Sequence, residues 1–153
     1  MLRFRFCLII ILASALMACS GSDAPRPAEF VPPVPTQQDF GNLRVRFNAL
    51  PTMSLSDAVA REYGVTREAG TALVVIALRE MKAGEEEVAD GSVTAVARDL
   101  SGKQQALEFR EARTGDYVDH IATVKISAHD TYRFDVTVQA NDQTASLQFA
   151  RNF

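Results

Sequence analysis

The 153 residues contain no tryptophan, two cysteines and two histidines. Both cysteines, Cys7 and Cys19, lie near the start, so the rest of the chain has neither a thiol nor a disulfide. A structural zinc site draws its four ligands mainly from Cys and His, and a Cys–His nucleophile needs a free thiol. Neither can be assembled beyond residue 19. The missing Trp and Cys also exclude a true antibody domain, whose core packs a tryptophan on a disulfide, while leaving that architecture open. A positive excess is lacking too: the formal net charge is −3. Phosphate contacts need a basic face, so no nucleic-acid partner is expected. No G-x-S-x-G, phosphate-binding loop or dinucleotide glycine pattern occurs. No catalytic residue, metal or cofactor is therefore expected.

Arg3 and Arg5 precede an apolar run from Phe6 to Leu12, and small residues then lead to Leu16-Met17-Ala18-Cys19. A basic start, a short apolar core and a small-residue cleavage site are the anatomy of a bacterial secretory signal. The uncharged stretch from Phe6 to Gly21 falls short of the roughly 20 apolar residues of a spanning helix, which makes a retained helix the lesser reading. Leu16 to Cys19 resembles the lipobox of bacterial lipoproteins, although Met17 is unusual at its position. In that pattern the cysteine becomes the first mature residue and its thiol takes up a diacylglyceryl group. The alternative is an ordinary signal cut after Ala18. Residues 1–18 are thus expected to be removed, with Cys19 lipidated and attaching the protein to a membrane. Ser20, in place of Asp, favours the inner leaflet of the outer membrane by the sorting rules of enteric bacteria. Losing Arg3 and Arg5 leaves 14 basic against 19 acidic residues, a charge of −5. A domain so charged is unsuited to anionic lipid and should stand off the bilayer.

Residues 19–38 read as a lipid-anchored tether, since Pro25, Pro27, Pro32, Pro33 and Pro35 are five of the six prolines. Such a segment favours extended polyproline II over helix or central strand. Phe30, Val31 and Val34 are alternative contacts to the domain edge. From Asp39 to Phe153 the pattern turns to period two. Leu43, Val45, Phe47 and Ala49 alternate with polar residues, as in a half-buried strand. Residues 71–78 are almost wholly apolar and predict a central strand covered on both faces. Further strands are predicted around 92–100, 104–113, 117–126, 131–138 and 144–153. Turns are predicted at Ser101-Gly102-Lys103, Thr114-Gly115-Asp116, Ala128-His129-Asp130 and Asn141-Asp142. The expected fold is all-β with one short helix, an immunoglobulin-like β-sandwich of about seven antiparallel strands. Phe47, Phe109, Phe134, Phe149, Leu73, Val75, Val136 and Leu147 are its expected core. The helix is predicted in residues 54–64, with Ser54 as N-cap and Gly64 as its left-handed stop, covering an open end or edge of the sandwich.

Four groups of polar residues are candidate sites. Asp116, Asp119 and His120 cluster in sequence, yet Asp119 and His120 point to opposite faces of a strand and cannot share one ion. His120 shares its face with Val118, Ala122 and Val124, which reads as a core histidine, and His129 reads as a solvated turn residue. Glu85, Glu86, Glu87 and Asp90 lack the spacing of a calcium loop and read as a charged hairpin tip. Arg44, Arg46, Glu108, Arg110 and Asp135 occupy outward positions suited to cross-strand ion pairs. Asn48, Tyr63 and Arg67 form the fourth group, a candidate binding or structural cluster where the first strand hands over to the helix.

From Phe40 to Phe153 the chain resembles a family of small secreted proteobacterial proteins, domain of unknown function 4426. The resemblance rests on Phe47-Asn48-Ala49, Val59-Ala60, Tyr63-Gly64-Val65-Thr66-Arg67 and Ala72-Leu73. It continues in Leu107-Glu108-Phe109-Arg110-Glu111, Gly115-Asp116 and Tyr132-Arg133-Phe134-Asp135. Val74-Val75-Ile76 differs from the family pattern, in which a polar residue interrupts that strand. The resemblance implies no activity. Two functions remain open: a non-enzymatic module that binds an unknown envelope protein or component, or an enzyme or small-ligand carrier with a polar site near Asn48, Tyr63 and Arg67.

Overall fold

The computed structural model describes residues 34–153, so the expected signal, Cys19 and most of the tether lie outside the described residues. Ten strands form two antiparallel sheets. They are β1 (Gln37–Phe40), β2 (Leu43–Pro51), β3 (Thr71–Lys82), β4 (Glu85–Val88), β5 (Gly91–Arg98), β6 (Gln104–Leu107), β7 (Arg110–Thr114), β8 (Tyr117–Lys125), β9 (Thr131–Ala140) and β10 (Gln143–Asn152). The first sheet runs β1-β2-β3-β8-β7, with β4 also on β3, and the second runs β10-β9-β5-β6. This is the expected β-sandwich. The additional strands are short: β1 and β4 are hairpin arms of four residues, and the strand expected over 104–113 breaks into β6 and β7.

The alternation seen in the sequence sets the inner faces. Leu43, Val45, Phe47 and Ala49 of β2 face Val136, Val138, Leu147 and Phe149 of the other sheet in one core. Phe47, Phe149 and Phe134 stack in series, with successive ring centroids 4.8 Å apart. Strand β3 is buried on both faces, as its composition requires. Its even positions, Ala72 to Leu78, join the main core, while Leu73 belongs to a second cluster with Leu55, Ala60, Ala112 and Ile121. Val75 and Phe109, both expected in the core, are only partly buried.

The second cluster lies beneath α1 (Asp57–Glu62), which packs on the outer face of the first sheet and not on an end or edge. The reason is supply and demand of apolar surface: Leu73, Val75 and Ile121 face outward and need a cover. A helix of six residues is far too short to stand alone. Its N-cap is Ser56, whose Oγ accepts from the Val59 N–H at 3.2 Å, and not Ser54, which closes a 3-10 turn (Thr52–Ser54). The stop at Gly64 is as expected, with φ +59°.

The acidic run departs from its expected hairpin tip. Glu85–Val88 are β4 itself, and the tip is Ala83-Gly84. The run is matched by basic partners: Glu86 accepts from Arg44 and Arg46 at 2.8 and 2.6 Å, and Glu87 pairs with Lys82 at 3.0 Å. At the start of β5, Gly91 lies opposite Ala140, and a Cβ there would collide with the Gln139 carbonyl and sit 2.7 Å from Leu78 Cδ1. Backbone cannot yield as a side chain does. Gly91→Ala is expected to lower unfolding free energy by about 1–3 kcal/mol, as overpacking does, measured by urea denaturation.

Candidate functional site

The polar groups on the outer face of the first sheet begin with a fork in β3. Its far edge pairs with β8 over Thr71–Ile76, then with β4 over Arg79–Lys82. The change of partner leaves β8 carbonyls near the fork without a ladder. Arg79 fills the gap: Nη1 donates to the carbonyls of Val118 at 3.0 Å and Leu78 at 2.9 Å, and Nη2 donates to Asp119 Oδ1 at 2.8 Å. The Tyr63 hydroxyl donates to Asp119 Oδ2 at 3.2 Å. Tyr117 closes the site, with its ring centroid 5.3 Å from the guanidinium carbon. Arg79 is 6% exposed. A buried cation is tolerable only when paired and hydrogen-bonded, and Arg79 is held by one carboxylate and two carbonyls. Burial, then the Asp119 charge, raises the Tyr63 phenol above its ordinary value. Arg79 escaped the sequence reading because it follows an apolar run and looks like the strand's solvated end.

Asn48, Tyr63 and Arg67 have separate partners. Tyr63 belongs to the Arg79–Asp119 network. Arg67 pairs with Asp57 and donates to the Met53 carbonyl at 3.2 Å, which ties the chain after the helix to the chain before it. Asn48 Oδ1 accepts from the Ala49 N–H at 2.9 Å and from Arg151 Nε at 3.4 Å, beside the other sheet. Asp119 and His120 do face opposite ways. His120 is buried on the inner face. Burial holds its imidazole below the ordinary value, against the raising effects of Glu111 and Asp119. Among the described residues no group of three or more His, Cys, Asp or Glu is placed to hold a metal ion.

The larger feature is a groove that the sequence reading missed. At Glu108-Phe109 the chain leaves the second sheet for the first, and Phe109 leans on the main core. Strand β7 therefore begins at Arg110, opposite Ile121, and β8 beyond Ile121 has no strand on that side. Ile126 turns its N–H toward β3, bonding the Gly70 carbonyl at 2.9 Å, so the odd residues of β8 turn theirs outward. At Lys125 the Gln105 side chain takes the place of a strand, bonding the carbonyl at 2.9 Å and the N–H at 3.3 Å. Thr123 lies between these closures, exposed, with its N–H and C=O turned outward and without a partner among the described residues. A groove of about 620 Å³ opens there, walled by Val65 and Thr66, by Gln105 and Phe109, and by Arg110 and Lys125. Its walls are braced. Arg110 donates to the carbonyls of Tyr63 and Gly64 at the helix end, the latter at 3.1 Å. Lys125 pairs with Glu68 at 3.0 Å, and Thr52, fully buried, donates to the Glu68 carbonyl at 2.8 Å. The missing signal was the sheet switch: 104–113 alternates well enough to pass for one strand.

A helix-covered, immunoglobulin-like sandwich with a groove at a sheet switch is thus the class this chain represents. It belongs to the family described as Domain of unknown function (DUF4426), which matches residues 37–153. The chain is similar to a DUF4426 family protein from Pseudomonas aeruginosa, with 27% identity, a TM-score of 0.65, and coverage of 76% of this chain and 92% of that one. It is also similar in fold to FetP of uropathogenic Escherichia coli, expressed in the periplasm, with 8% identity and a TM-score of 0.56 over 78% of this chain and 94% of that one. A copper-bound FetP variant gives 8% identity and a TM-score of 0.50 over 76% and 88%. No curated protein matches the sequence.

Two outcomes follow from the burial of these groups. Asp119→Asn leaves Arg79 buried without its counter-charge and is expected to cost about 3–5 kcal/mol. Tyr63→Phe loses one hydrogen bond and should cost about 1 kcal/mol. Both are read from urea denaturation. His120 acts through pH. The unfolded chain takes up a proton near the usual value of about 6.5, and the folded chain only at lower pH. Within that window the unfolded state binds more protons, so stability is complete above about pH 6.5 and falls as pH falls through the lowered folded value. His120→Leu is expected to flatten that decline in thermal unfolding followed from about pH 7 to pH 5.5.

Proposed function

We infer that this protein is a lipid-anchored binding module of the bacterial envelope, facing the periplasm from the inner leaflet of the outer membrane. It holds a partner in the groove at Thr123 without transforming it. The location rests on the sequence: the basic start, the apolar core and Cys19 after Leu16-Met17-Ala18. In this reading the lipid on Cys19 is the anchor; among the described residues no helix is long and apolar enough to cross a membrane. FetP, which shares the fold, was recombinantly expressed in the periplasm of Escherichia coli. Its copper is a property of FetP and is not carried over.

The observation that supports binding is the open edge at Thr123. An exposed main-chain donor and acceptor at the floor of a groove are what an extended peptide uses to add to a sheet. Val65 and Phe109 supply apolar contact, and Arg110 and Lys125 supply hydrogen-bond donors at the rim. An extended segment of an envelope protein fits that chemistry best. A catalytic or carrier site at Asn48, Tyr63 and Arg67 has less support, because each of the three is already engaged with a different partner.

Two measurements test the reading. Cys19→Ser should abolish labelling by a clickable fatty acid and block signal cleavage. A photoactivatable residue at Thr66, on the groove wall, should crosslink one discrete envelope protein in intact cells, and the same residue at Glu85, exposed on β4, should not. Unchanged lipid labelling would remove the anchor, and equal crosslinking from both positions would remove the groove.

A further inference from the structure

The far end of the sandwich carries a second open edge, and it is unlike the others. Strand β10 ends the second sheet and is ten residues long. The other strands at sheet edges among the described residues, β1, β4, β6 and β7, have four, four, four and five residues. Most of those carry charge, as in Glu85, Glu86 and Glu87 of β4 or Arg110, Glu111 and Arg113 of β7. Natural proteins blunt edges with short strands, charges, prolines and bulges. From Gln143 to Ala150, β10 has no charged residue and no proline, and its register with β9 is unbroken from end to end.

The direction of its free groups follows from the turn. Asn141 and Asp142 have φ of +51° and +60°, the left-handed pair of a two-residue hairpin. Ala140 and Gln143 therefore close the ladder, and the odd residues of β10 exchange hydrogen bonds with β9. The even residues turn their N–H and C=O to the free side. Arg151 Nη1 takes the Ala150 carbonyl at 2.9 Å, which closes one end. The main-chain groups of Thr144, Ser146 and Gln148 have no partner among the described residues. Their side chains are exposed on the outer face.

We propose that this edge is a homodimer interface, in which β10 of one copy pairs antiparallel with β10 of a second copy about a two-fold axis at Ser146. That register sets Ser146 opposite its own mate and Thr144 opposite Gln148, and each such pair exchanges two main-chain hydrogen bonds. Self-pairing brings the residue on the two-fold axis against itself, so a charge at Ser146 would meet a like charge directly. A strand with none in the paired stretch suits a second copy, although the mature chain carries net negative charge. Arg133 and Asp135, one strand inward, have opposite signs, as do Asp142 and Arg151, which flank the paired stretch along the chain. The tether is a poor rival, because its five prolines remove ladder donors. The two four-stranded sheets would join into one. The groove at Thr123 lies at the β6–β7 end and stays open on both copies.

The test uses the full-length protein in its envelope. Ser146→Cys should give a disulfide-linked dimer of the chain on a non-reducing gel. Thr137→Cys, on the same face one strand inward, should not. Adding Gln148→Pro to Ser146→Cys removes an N–H on the free side only, and should abolish the dimer while folded protein persists. Should the proline variant fail to accumulate, Thr144→Lys with Gln148→Lys beside Ser146→Cys sets lysine against lysine across the seam, with the same expected loss. Failure of Ser146→Cys to form the dimer overturns the proposal. So does an equal yield from Thr137→Cys, a dimer that survives Gln148→Pro, or capture of a different protein in place of a second copy.

Discussion

The divided edge of β3 is the constraint on which this molecule turns. A twelve-residue strand cannot keep one neighbour along its whole far side, and here it passes from β8 to β4. At the fork, main-chain carbonyls point into a region covered by protein, where an unsatisfied group costs about 1–3 kcal/mol. A guanidinium with five donors is the side chain best able to serve several acceptors at once. Arg79 serves two carbonyls and one carboxylate from one position. Asp119 in turn engages Tyr63 at the end of α1, so the same contact that mends the sheet also seats its cover.

Adjacent residues of β8 show two ways of burying an ionisable group. Asp119 faces outward under the helix and keeps its partners, Arg79 and Tyr63. His120 faces inward, and burial favours its neutral form. Strand geometry makes the separation unavoidable, and it divides the stability burden between an ion pair and a neutral ring. With no thiol among the described residues, packing and such pairings must do the work that disulfides do in many secreted domains.

Architecture was largely legible in the amino-acid pattern, because period-two alternation and turn residues report directly on strands. The stacked phenylalanines, the doubly buried β3, the stop at Gly64 and four turns all follow from local chemistry. Misreadings arose where a partner distant in sequence decides. Ser54 and Ser56 are equivalent as caps until the apolar surface around Leu73 dictates where the helix lies. Glu85–Val88 look like a tip until Arg44 and Arg46 supply counter-charges across the sheet. Arg79 and the groove depend on where strands change partners, and no local window contains that information. Asn48, Tyr63 and Arg67 are near one another in the chain, but a strand that crosses the sandwich and a helix that lies upon it carry them apart.

The two ends of the sandwich are treated oppositely. At the β6–β7 end the chain itself crosses between sheets, charged residues line the edge, and the opening left behind is braced by Gln105, Arg110 and Lys125. Bracing on both sides of one free residue, Thr123, holds the width of that opening against collapse. At the β10 end no crossing occurs, and the strand runs neutral from Gln143 to Ala150 in unbroken register, with the main-chain groups of three alternate residues unpartnered among the described residues. A protein with nothing to gain from that edge would need only one lysine among Thr144, Ser146 and Gln148 to protect it, at almost no cost to a solvent-facing position. The neutral run therefore marks the β10 edge as a surface for pairing, separate from the groove and compatible with it.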